Sequence, residues 1–66
     1  MQVQTRAHAQ FEQLVRQANR LNLRSADYRK YIANGMRQHG WSISEATVMS
    51  TAQSLGFEIY AGQIIV

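Results

Sequence analysis

These 66 residues are expected to form one domain at most, and with no cysteine and two histidines they leave no disulfide scaffold and too few ligands for a structural zinc site. With 45% hydrophobic residues and no proline it has the composition of a folded domain rather than a disordered segment. The net charge of +3 is unevenly spread: all 7 cations fall between Arg6 and Arg37, and the stretch 41–66 holds only Glu45 and Glu58.

No apolar run approaches the ~18 residues that a membrane span requires. The opening MQVQTRAHAQ lacks the apolar segment of a signal peptide, so a cytoplasmic location is expected. A chain this short buries only about 60% of its unfolded surface. Regular helix packing, or a homodimer, is expected to supply the missing core.

The first element is a helix over 6–22. Ala7, Phe11, Leu14, Val15, Ala18 and Leu21 recur at spacings of three and four, which makes one apolar stripe. Thr5 is a candidate cap, and Glu12 and Arg16 can pair one turn apart. Beside the stripe runs a second line of Arg6, Gln10, Gln13, Gln17, Arg20 and Arg24. Long hydrogen-bonding side chains with arginines at both ends suit a phosphate backbone, and equally suit water.

The second helix is expected over 26–38, with Ser25 as N-cap and Asp27 in the first turn, where the helix dipole favours an anion. Tyr28, Ile32 and Met36 form its buried line. Gly35 costs about 1 kcal/mol against alanine in a helix, so a close packing partner is expected there. Arg29, Lys30 and Arg37 share another face, and Tyr31 points partly away from the core line.

The third helix is expected over 43–55. Ser42 and Glu45 match the capping box S-x-x-E, Trp41 and Ala46 stand where a hydrophobic staple would, and Gly56 fits the C-terminal stop. Val48, Met49, Ala52 and Leu55 would face the core. Thr47, Ser50, Gln53 and Ser54 would face outward without charge. The tail FEIYAGQIIV changes to a period of two around Ala61-Gly62 and reads as two strands and a turn. MQVQT alternates as well and could add a strand. The closing IIV must pack under the helices or pair with a second copy.

The fold class expected is therefore α+β, mainly α: one domain of three helices and a C-terminal hairpin, like a winged helix-turn-helix. The short HGWS link suits the turn of that motif. The four scattered carboxylates form no evident acid–base pair, so no catalytic residue and no enzymatic activity are expected. His8 and Glu12 are too few to hold a metal, and no cofactor is implied. Six of the seven cations are arginine, which suits bidentate contact with phosphate or carboxylate.

Two functions fit. One is a non-catalytic nucleic-acid-binding module, DNA first, acting in transcription regulation. Arg16, Arg20, Arg24, Arg29, Lys30 and Arg37 would contact phosphates, with Tyr31 beside them, and Ser44, Thr47 and Ser50 would approach the bases. The other is a small protein-binding inhibitor or adaptor, of the kind that phages and other mobile elements encode. It would meet an acidic surface through arginine, Tyr31 and Trp41 anchors.

Overall fold

The computed structural model describes residues 5–66. Three helices and a hairpin follow in order: α1 (Thr5–Arg20), α2 (Ser25–Gln38), a 3-10 turn (Glu45–Thr47) running into α3 (Val48–Ser54), β1 (Glu58–Tyr60) and β2 (Gln63–Ile65). The domain is α+β and mainly helical. The strand expected in MQVQT and the cap expected from the Thr5 side chain lie outside the described residues.

One core joins all elements. Phe11, Val15 and Ala18 come from α1, Tyr28, Ile32, Ala33 and Met36 from α2, Val48 and Ala52 from α3, and Ile64 from β2. The apolar period of α1 and the Tyr28–Ile32–Met36 line therefore face inward as their spacing requires. Gly35 has the close partner its position implies. A methyl group placed on it would come within 2.7 Å of Leu14 Cδ1 on α1.

All three helices stop in the same way. Leu23 N–H reaches back to Ala18 O at 3.1 Å, Trp41 N–H to Met36 O at 3.0 Å, and Phe57 N–H to Ala52 O at 2.9 Å. The residue before each is left-handed: Asn22 at φ 59°, Gly40 at 93° and Gly56 at 95°. These are Schellman closures, in which an apolar residue after the cap folds back toward the last turn. They explain why Leu21, expected in the apolar stripe, is 58% exposed while Leu23 packs against the core. The helix ends at Arg20, and the reversal at Asn22 turns Leu23 rather than Leu21 inward.

Two cap assignments are corrected. Ser25 does not cap α2. Arg24 holds the N-cap position in extended geometry without a side-chain bond, and its carbonyl accepts from Asp27 N–H at 3.1 Å. Ser25 itself sits at φ 54°, because the link from α1 is too short to enter the helix without a sharp bend. At the third helix the Ser42–Glu45 box is replaced by Ser44 and Thr47. Thr47 Oγ1 accepts from Ser44 N–H at 3.1 Å and donates to Ser44 O at 3.0 Å.

The start of the third helix thereby shifts from residue 43 to 45, its first turn is 3-10, and the α-helical part is short. Thr47 and Val48, both β-branched, are poor helix formers at this start. Trp41 makes no staple with Ala46, which is exposed. It serves the end of α2 instead, and its indole N–H donates to Gln10 Oε1 at 2.6 Å.

The hairpin pairs Glu58 with Ile65, Ile59 with Ile64 and Tyr60 with Gln63. Ala61 and Gly62, at φ 54° and 78°, form the two-residue turn. Both central residues at positive φ make it a type I′ turn, whose twist suits the strands. The IIV terminus divides: Ile64 is buried, while Ile65 and Val66 remain exposed. The N–H of Ile64 donates to Tyr28 Oη at 3.1 Å, and Asn19 Nδ2 donates to Ile64 O at 3.4 Å. Side chains of α1 and α2 thus occupy the outer edge of β2 at its buried centre.

Candidate functional site

The cations differ in how far they are engaged within the chain. Arg16 is held by Glu12 on its own helix, with Nε and Nη2 at 3.0 and 2.7 Å from Glu12 Oε2. Arg37 is exposed and bonds to neighbours along the chain. Nη1 donates to Ile43 O at 2.9 Å, and Nη2 donates to Asn34 Oδ1. It braces the link between α2 and the third helix. Tyr31 is half-buried and donates to Gln17 Oε1 at 2.8 Å. Arg20 and Lys30 are exposed, and neither forms an ion pair among the described residues.

Arg24 and Arg29 are brought together. Both line a cleft of about 420 Å³ between the start of α2, Met49 of α3 and the hairpin tip Ala61–Gln63. Ser25 lines the same cleft. Ser25 and Arg29 are four apart and so share a helix face. Arg24 reaches the same space because the extended backbone before the helix turns its side chain alongside. Among the described residues neither guanidinium has a carboxylate partner.

The backbone adds to the positive field. The first N–H groups of a helix have no carbonyl ahead of them, and the macrodipole places partial positive charge there. In α2 the N–H groups of Asp27 and Tyr28 are already taken up by Arg24 O, so the dipole, and not these two donors, adds to the field. Asp27, exposed in the same first turn, is the local counterweight. Two guanidiniums and a hydroxyl lining one cleft are the donor types that suit an oxyanion.

Ser44, Thr47 and Ser50 are exposed, but they stand outside this cleft. Their hydroxyls are engaged locally: Ser44 and Thr47 with each other, and Ser50 Oγ with Thr47 O at 3.1 Å. The connection from His39 to Ser44 is also longer than the three- or four-residue turn of a helix-turn-helix.

The sequence reading missed Ser25, Met49 and Ala61–Gln63 as wall residues. No local pattern signals them, because they meet only when the hairpin folds back onto α2. A second groove, of about 360 Å³, runs between α1 and α2 over Leu14 and Gly35, with Gln17, Tyr31, Asn34 and Gln38 on its rim. Gly35, with its expected close partner, and Tyr31, pointing partly away from the core line, were its traces in the sequence.

Among the described residues no three His, Cys, Asp or Glu side chains gather where a metal ion could be held, and no helix is long and apolar enough to cross a membrane. No family model matches the chain, and comparison with curated proteins and with solved structures gave no significant match.

Proposed function

We propose that the protein is a non-catalytic nucleic-acid-binding module that grips the phosphate backbone through the cleft of Arg24 and Arg29. The observation that carries this reading is that two arginines, with no carboxylate partner among the described residues, line one concave site beside the positive end of α2. Arg20 and Lys30 extend the charge around it. Arg16 and Arg37, bound within the chain, are given supporting roles only. In this proposal the hairpin tip acts as a wing along the backbone, in the manner of a winged helix-turn-helix. Ser44, Thr47 and Ser50 approach the bases only by giving up local hydrogen bonds, so sequence preference is expected to be weak. A second copy joined through the exposed Ile65 and Val66 would double the phosphates reached. A regulatory role in the cytoplasm belongs to the same proposal.

Titration of labelled DNA at two salt concentrations tests it. Affinity should fall steeply with salt, and Arg29→Ala should lower the logarithmic slope by about 0.9 on duplex, independent of sequence. Failure to bind at low salt, or a slope unchanged by Arg24→Ala and Arg29→Ala, would overturn the reading. The alternative, a protein-binding inhibitor or adaptor, has one observation of its own: the α1–α2 groove beside Tyr31. It predicts that Tyr31→Ala abolishes partner capture while Arg29→Ala does not.

A further inference from the structure

We propose that the cleft and the hairpin tip together form a site for single-stranded nucleic acid, with a phosphate between Arg24 and Arg29 and the neighbouring base stacked on Tyr60. This rests on the backbone-binding reading above and assigns it a strand form. Tyr60 is 77% exposed, the most open of the large hydrophobic side chains among the described residues. It ends β1 directly before Ala61 and Gly62, and it pairs with Gln63 across the hairpin. All three of those residues line the arginine cleft.

Strand alternation puts Tyr60 and Gln63 on the outward face, opposite the inward pair Ile59 and Ile64. Directly paired residues in an antiparallel ladder hold their Cβ atoms about 4.5–5.5 Å apart. The Cβ of Tyr60 is therefore next to that of the cleft-lining Gln63, directly before the turn. A two-residue turn keeps that position fixed. The tip thus carries an exposed aromatic ring next to residues that line the cleft of Arg24 and Arg29.

That combination is chemically selective. A duplex offers phosphates but no open base face, since its bases already stack on one another. A single strand offers both, and stacking on an aromatic side chain tolerates any base. Glu58 lies two residues from Tyr60 on the same outward face and would repel a phosphate there. The path that avoids it runs from Tyr60 over Ala61–Gly62 toward Arg24 and Arg29. The proposal therefore fixes the direction in which the strand leaves the ring.

Fluorescence anisotropy with labelled oligothymidine of about ten nucleotides, and with a duplex of the same length, tests the inference. The single strand should bind roughly tenfold or more tightly than the duplex at low salt. Tyr60→Ala should weaken single-strand binding by roughly 5- to 100-fold and leave duplex binding unchanged, whereas Tyr60→Phe and Tyr60→Trp should retain it. Arg29→Ala should lower the single-strand salt slope by about 0.7, and Tyr60→Ala should not alter it. Glu58→Gln should tighten binding. Equal affinity for both forms, or a Tyr60→Ala variant that binds like the parent, overturns this inference while leaving the backbone reading in place. Absence of binding to either form overturns both.

Discussion

Replacing Tyr28 by phenylalanine tests how the hairpin is held to the helices. The ring is fully buried in the core, and the substitution keeps its packing. What disappears is the oxygen that accepts from Ile64 N–H at 3.1 Å. Ile64 is buried too, so water cannot readily replace the lost partner. Leaving a buried N–H unpaired costs about 1–3 kcal/mol. A domain of this length has a stability of roughly 3–10 kcal/mol at 0.05–0.15 kcal/mol per residue. Tyr28→Phe should therefore lower Tm by roughly 5–20 °C, at 4–8 °C per kcal/mol for a small domain. Urea unfolding, followed by circular dichroism and by Trp41 fluorescence, should show a lower midpoint with an unchanged slope.

The same residue predicts a pH dependence. Burial raises the Tyr28 hydroxyl above its ordinary value of 10.0, and the bond from Ile64 N–H opposes that rise only in part. The folded state therefore holds the phenolic proton more tightly than the unfolded chain. The stability contributed is complete below about pH 10 and is lost as pH rises from there through the folded-state value. Tyr28→Phe should lose less stability than the parent across that alkaline range. A variant with parental stability at neutral pH would refute the reasoning, because the Ile64 N–H would then have found another partner at no cost.

Three further outcomes follow from local geometry. Ala61 holds φ 54° in the hairpin turn, a region that disfavours a Cβ, so Ala61→Asn should raise stability by about 0.5–1 kcal/mol in a thermal melt. Gly56→Ala should cost about 1 kcal/mol, since φ 95° at the end of α3 suits only glycine and no neighbouring atom hinders the methyl sterically. Arg16→Gln should leave nucleic-acid affinity within about twofold of the parent, since its guanidinium is engaged by Glu12. Losing that exposed pair should cost only about 0.3–0.5 kcal/mol in chemical denaturation.

Much of the architecture was legible without coordinates. Apolar residues three and four apart placed the buried faces of α1 and α2, because a helix has one period and must hide its stripe. Gly56 marked the end of the third helix, and Ala61-Gly62 marked the turn, because left-handed backbone favours few residue types. Starts were less legible than ends. Ser25 and Ser42 were both plausible caps, yet Arg24 and Ser44 hold the positions, because the entry path of the chain decides which residue is free to cap.

The candidate site was legible only in part. Arg24 and Arg29 could be named from the charge asymmetry, but so could Arg16 and Arg37, which the fold ties to Glu12, Ile43 and Asn34. Charge is a property of a residue, whereas availability depends on what packs beside it. Composition and periodicity determined a small, basic, mainly helical domain with an apolar hairpin. Tertiary structure alone decided that the hairpin tip closes on the start of α2, because the Ile64–Tyr28 bond and the shared core join segments far apart in sequence. The cleft, its two unspent arginines and the exposed Tyr60 beside it all result from that closure.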